Sequence, residues 1–113
     1  MDEITISLVE FCPRYEKAVS IISKRWTSLI LRALLAGTSR FNGISAYVPG
    51  LSDRLLSERL KELEAEGIIE RRVYGETPVR IEYVLTPKGE ELRDIVTVMQ
   101  RWADRWVEPV SQP

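Results

Sequence analysis

The 113-residue chain has no histidine and one cysteine, Cys12. Zinc sites draw on Cys and His, and triads or dyads of the common kind draw on His as base, so neither can be assembled within one chain. A lone cysteine also excludes an intramolecular disulfide. No apolar run approaches the roughly 20 residues of a bilayer span, and no basic, apolar, small-residue series opens the chain like a signal peptide. An intracellular, cytoplasmic protein without membrane association is therefore expected. Charge of one sign is not in excess either: 16 Lys and Arg face 17 Asp and Glu, a net charge of −1. The chain as a whole is not a polycation, so any attraction to nucleic acid must come from local charge. A carboxylate-only active site is the one catalytic route left by composition. The acids, however, are scattered over polar helix faces beside Lys or Arg, as solvated surface charge is, and the expectation is no enzyme, no metal and no cofactor.

What the chain does contain is ordinary globular material, 44% hydrophobic and 29% charged. This excludes a disordered or collagen-like chain and suits one compact unit of this length. Charge is uneven along it. Residues 1–12 carry three acids and no base, residues 13–40 six bases and one acid, and residues 41–113 ten bases and thirteen acids. The middle block is either a solvated helical surface or part of a phosphate-facing one.

Local patterns order the elements. Ile4, Ile6, Leu8 and Val9 suit a short strand or an irregular docking arm. Pro13 suits the first position of a helix, which makes Cys12 its N-cap; the helix runs to about Ile22 with Ala18, Val19, Ile21 and Ile22 on its buried side. Trp26, Leu29, Ile30, Ala33 and Leu34 recur at helical spacing, and Gly37 stops that second helix. Thr38 and Ser39 can cap a short third helix around Arg40 to Tyr47, with Phe41 and Ile44 facing the core. Val48, Pro49, Gly50 and Leu51 form a turn, after which Ser52 caps a helix to about Glu66 with a stripe of Leu56, Leu60 and Leu63, widened by Leu55. Two β-rich segments, Ile68 to Tyr74 and Val79 to Leu85, flank Gly75, Glu76, Thr77 and Pro78, predicting a hairpin with one packed and one wet face. Thr86 and Pro87 restart a helix on which Leu92, Ile95, Val96, Met99, Trp102, Ala103 and Trp106 recur, until Pro109 ends it.

Helix, helix, short helix, turn, helix, hairpin, helix is a mainly α arrangement with a small β-hairpin (α+β), the winged helix-turn-helix order. Such a domain lays the N-terminal part of its second motif helix in the major groove while the hairpin reaches backbone or minor groove. The residues so presented are Ser52, Asp53, Arg54, Ser57 and Glu58, with Lys61 one turn on. Arg54 can pair with guanine O6 and N7, Ser57 with either base, and Asp53 or Glu58 can accept from cytosine N4 or orient Arg54. Arg59, Arg71, Arg72 and Arg80 are candidates for phosphates or the minor groove. Arg54, Glu58 and Lys61 also satisfy the i, i+4 and i+3 spacing of plain surface ion pairs, and Arg80 suits a generic charge on an exposed strand face.

The sequence further resembles a known family. Cys12-Pro13, Lys24-Arg25-Trp26-Thr27, Leu29-Ile30-Leu31, Arg40-Phe41-Asn42 and Pro49-Gly50-Leu51-Ser52 with Leu56, Arg59, Leu60 and Leu63 resemble the HxlR-type transcriptional regulators. Gly67-Ile68, Arg71, Tyr74, Pro78, Glu82-Tyr83, Leu85-Thr86, Gly89 and Leu92 continue the likeness, which spans about Cys12 to Trp106. Ser23 and Gly43 depart from it, at positions that usually hold glycine and an acid. The resemblance implies a homodimeric winged-helix repressor or activator of MarR-like architecture on a palindromic operator in double-stranded DNA. Arg40, inside the matched stretch, joins the candidates for DNA contact.

A dimer also answers a physical question, because Met99, Trp102 and Trp106 exposed on a monomer would form an apolar patch that soluble monomers rarely tolerate. The terminal helices are then the dimerisation elements. The expected organisation is an N-terminal arm over 1–12, a domain of HxlR type with its dimerisation helix over 13–107, and a tail over 108–113. Cys12 is the reactive candidate: a helix N-terminus with Arg14 and Lys17 nearby favours a thiolate. Some members of the family that the chain resembles sense oxidants or electrophiles through a cysteine at this place. The opposing reading is a small buried hydrophobe beside Phe11. A small-molecule effector is left open. The rival from another class is a winged-helix protein–protein interaction module without DNA binding, which the net charge of −1 favours slightly.

Overall fold

The computed structural model of the chain describes Leu8 and residues 10–109. The expected arm before Cys12 thus lies largely outside the described residues, as does the end of the expected tail. The elements are α1 (Pro13–Ile22), α2 (Thr27–Leu35), α3 (Phe41–Tyr47), α4 (Asp53–Ala65), β1 (Ile69–Tyr74), β2 (Arg80–Leu85), α5 (Pro87–Glu90) and α6 (Leu92–Trp106). The mainly α order with one antiparallel hairpin is the one expected.

The core forms where α2, the α3–turn–α4 unit and the base of the hairpin converge. Ile30, Leu31, Ala33 and Leu34 of α2, Ile44 of α3, Val48 and Leu51 of the turn, the stripe Leu56, Leu60 and Leu63, and Ile68 and Ile69 are buried together. A leucine at each turn of α4 gives one apolar edge, and burying that edge leaves the other faces outside. The helix ends in a Schellman motif: Gly67, at φ +74°, donates to the Glu64 carbonyl and Ile68 to that of Leu63. A left-handed backbone favours glycine there, and the motif drops Ile68 back onto Leu63 in the core.

Several expectations change. α1 buries no residue; Ile21 and Ile22 are half-buried, but Ala18 and Val19 are exposed, because α1 lies on the rim and touches the domain along one edge only. Trp26 does not belong to the helical face of α2. It is the N-cap, with φ +77°, a left-handed conformation costing a non-glycine residue about 1–3 kcal/mol. Leu29, expected in the core, is exposed towards α6. Neither Thr38 nor Ser39 caps α3; its N-cap is Arg40, and the Ser39 carbonyl instead accepts the Tyr83 N–H at 2.8 Å, tying the hairpin to the α2–α3 loop.

The strands pair from Ile69 with Leu85 to Tyr74 with Arg80. Paired residues share a face, so Ile69, Arg71 and Val73 lie with Leu85, Tyr83 and Ile81, while Glu70, Arg72 and Tyr74 lie with Val84, Glu82 and Arg80. The expected packed-versus-wet alternation does not appear: β2 is half-buried throughout, and on β1 only Ile69 is fully buried. A two-stranded wing that leaves the core at its base has nothing to bury its tip against. The helix after the wing is also interrupted, at Glu91. A Cβ at Gly89 would sit 2.2 Å from the Ile68 carbonyl oxygen, so α5 packs directly against the start of the wing. Thr86 fixes the junction, accepting from the Gly89 N–H at 3.1 Å and donating its hydroxyl to the Gly67 carbonyl at 2.6 Å.

Candidate nucleic-acid interface

The turn between α3 and α4 is pinned from inside by the buried Val48 and Leu51. At its exit the Ser52 hydroxyl accepts the Leu55 N–H at 3.1 Å, closing the first turn of α4. One residue on, the Ser45 hydroxyl donates to the Asp53 carboxylate at 3.2 Å, joining the end of α3 to the start of α4. With the leucine edge buried, Ser52, Asp53, Arg54, Glu58 and Lys61 are exposed and Ser57 is half-buried. The Arg54 side chain is 91% exposed and its Nε lies 3.6 Å from Glu58, a loose surface pair that leaves the guanidinium available. Charges alternate along this arc, so it offers hydrogen-bond chemistry more than bulk positive potential.

Arg59 lies elsewhere. Its side chain is 14% exposed, bonded through Nε to the Arg25 carbonyl at 3.3 Å and through a terminal nitrogen to Glu62 at 2.8 Å. It is committed inside the protomer, on the side of α4 facing the α1–α2 corner. Glu62 takes a second cation, Lys24, at 2.9 Å. The hydrogen bond from Lys24 lowers the Glu62 carboxyl below its usual 4.5; partial burial works against this and the charges of Arg59 and Lys24 assist it.

The wing divides its three arginines. Arg72 bonds Glu70 at 3.0 Å, and on the same face Arg80 meets Glu76 at 3.1 Å and Glu82 at 3.7 Å, with its guanidinium 4.1 Å over the Tyr74 ring. Arg71 points to the opposite face and is exposed. Arg40, at the start of α3, is exposed as well. Ser52, Asp53, Arg54, Glu58 and Lys61 thus share one helix face, whereas the wing arginines split between two faces and Arg59 faces inward.

At the other end of the domain lies an apolar surface. On α6, Met99, Trp102 and Trp106 are 58%, 61% and 64% exposed, alongside Ile95 and Val98. Sequence reasoning missed a second exposed apolar strip, Phe11 just before α1 and Tyr15 and Val19 on it. Their four-residue spacing was the available signal. A groove of about 220 Å³, lined among others by Ile22, Leu29, Leu92, Val96 and Met99, lies between the end of α1, α2 and α6. Cys12 sits at the N-cap of α1, exposed, its thiol making no capping bond. Among the described residues no cluster of acids and cysteine is disposed to hold a metal, and no helix is long and apolar enough to cross a membrane.

Comparison with known proteins agrees with this fold. The model of the HxlR-like helix-turn-helix family matches residues 21–111. An uncharacterized HTH-type transcriptional regulator of Bacillus subtilis, YvaP, is 57% identical over 100 residues, covering 88% of this chain and 93% of its own. Among solved structures, the reduced form of the B. subtilis transcriptional regulator YodB is 45% identical with a TM-score of 0.76, over 90% of this chain and 100% of the other. Its quinone-bound form gives 41% identity and a TM-score of 0.72, over 85% and 100%.

Proposed function

Because the chain belongs to the HxlR-like helix-turn-helix family and is a transcriptional regulator, we propose that it acts as a homodimer reading a palindromic operator with α4 in the major groove. The observation that carries this reading is the exposed arc of α4. It is capped by Ser52, held by a buried leucine edge, and offers Arg54 with Ser57, Asp53, Glu58 and Lys61 beside it. Arg54 has the donors for guanine, and the acids beside it can accept from cytosine. Arg40, Arg71 and the outer edges of Arg72 and Arg80 are the cations for flanking phosphates. The apolar edges of α6 and α1 are the surfaces a twofold mate would cover, through Met99, Trp102 and Trp106 with Phe11 and Tyr15. Such a dimer sets its two reading helices about one DNA turn, roughly 34 Å, apart.

Within this reading, Cys12 makes DNA binding responsive to electrophiles. An exposed thiol on the helix whose neighbouring edge forms the dimer contact links a chemical event at sulfur to the geometry of the pair. A relative of the same fold has been solved with quinone bound, which supports a quinone as the class of electrophile. Selection of bound fragments from a random DNA pool tests the main reading, with a palindromic consensus expected; recovery without any sequence preference would refute it. Quinone treatment should weaken operator binding by the wild type and not by Cys12→Ser, and equal responses would remove Cys12 from the mechanism.

A further inference from the structure

We infer that the corner between α1 and α2, Lys24-Arg25-Trp26, is the positioning device for the reading helix and a determinant of operator selectivity that never touches DNA. The inference rests on the assignment of α4 as that helix. Three consecutive residues each reach the helix-turn-helix unit by a different chemistry. The Lys24 ammonium meets Glu62 of α4 at 2.9 Å. The Arg25 carbonyl accepts the Arg59 Nε–H at 3.3 Å, and Arg59 closes the loop by binding Glu62 at 2.8 Å. The Trp26 ring lies against Gly50 in the turn itself, 3.7 Å from where a Cβ would stand, with the Arg25 guanidinium 4.7 Å over that ring. Trp26 holds a left-handed backbone at φ +77° to make this contact. A fourth bond, Lys17 to Glu66 at 2.9 Å, extends the same seam to the end of α4.

The buried leucines hold α4 at its distance from the core, but apolar packing is non-directional and tolerates a roll about the helix axis. The directional bonds of Arg59 to the Arg25 carbonyl and of Lys24 to Glu62 remove that freedom. The geometry sets the consequence. At a side-chain radius of about 5–6 Å, a roll of roughly 10° moves a tip by about 1 Å, wider than the 2.7–3.2 Å window of a good hydrogen bond. Base-edge contacts of Arg54 would be lost by such a movement, whereas long-range attraction to phosphates would barely change.

The test compares the full-length wild type with Arg59→Met, Arg59→Lys and Glu62→Gln. Each is assayed for affinity towards its selected operator and towards a scrambled duplex across a salt series, with thermal melting as the folding check. Arg59→Met is expected to lose about tenfold or more on the operator while the scrambled duplex stays within about twofold and the salt slope is unchanged. Glu62→Gln should move the same way by less. Arg59→Lys should share most of the loss, since its ammonium still meets Glu62 on the same helix but lacks the planar bond to the Arg25 carbonyl that ties α4 to the corner. Operator and scrambled affinities falling together, with the salt slope reduced by about one, would make Arg59 a phosphate contact and overturn the inference. Unchanged operator affinity in variants that melt like the wild type would overturn it too. Should Arg59→Met not fold, Glu62→Gln decides by the same criteria. Absence of operator preference in the wild type would instead refute the reading-helix assignment on which the inference stands.

Discussion

Trp102→Ala tests the proposed dimer surface, because this ring lies on the outer side of α6, outside the protomer's core cluster. An indole side chain of roughly 250 Å², 61% exposed, offers about 150 Å² to a partner. At about 25 cal/mol per Å² this is worth roughly 4 kcal/mol if fully covered, and about 3 after the area that alanine retains. A twofold interface contains the residue twice, so the loss is about 6 kcal/mol at full coverage and about 3 at half. The dimer dissociation constant should therefore rise by about 10²–10⁴-fold. Sedimentation equilibrium over a concentration series reads this directly, with circular dichroism confirming an unchanged helical content. Thr97→Ala, exposed on the polar side of the same helix away from Trp102, serves as control and should leave the constant within about twofold. A change of less than about tenfold for Trp102→Ala would refute the assignment of α6 as the interface.

Arg54→Ala should cost about 1–3 kcal/mol of operator affinity and relax preference at one base pair per half-site, with melting unchanged because its pair with Glu58 is solvated; an identical footprint and affinity would remove Arg54 from base reading. Gly89→Ala forces a methyl group to 2.2 Å from the Ile68 carbonyl oxygen, and since the obstacle is backbone the expected penalty is about 3 kcal/mol, a fall in Tm of roughly 10 °C or more. Differential scanning calorimetry checks it, and a wild-type melting temperature would refute the close approach. Glu62 carries a lowered carboxyl, so its stabilisation is complete above the usual 4.5 and lost as pH falls through its lower folded value. Urea midpoints of the wild type and Glu62→Gln should therefore differ at neutral pH and converge in acid, whereas a constant gap would show that the ionised form contributes nothing.

The order of elements was legible in the sequence because it depends on near-neighbour chemistry. Pro13 at a helix start, Ser52 after Pro49 and Gly50, the leucine spacing of α4 and the glycine that ends it are each decided within a few residues. The polar arc of α4 followed from the same periodicity, since knowing which side is apolar tells which side is not. Even the apolar surplus of α6 can be counted from the spacing of its residues alone.

Three-dimensional placement decided the rest. Nothing local distinguishes Arg54 from Arg59, five residues apart on one helix. The first lies on the solvent side, whereas the second faces a corner whose carbonyl and carboxylate absorb it. Trp26 has the spacing of a core residue, and only the sharp join of α1 to α2 forces it into a left-handed cap beside Gly50. Two of the three wing arginines are neighbours in the chain, yet strand pleat sends Arg71 to one face and Arg72 with Arg80 to the other, among acids. The spacing of Phe11, Tyr15 and Val19 marks an apolar strip, but only the packing of the domain decides that the strip stays uncovered. Local sequence sets which bonds a segment can make to itself; which side chains meet, and which are left outside, depends on contacts between segments distant in the chain.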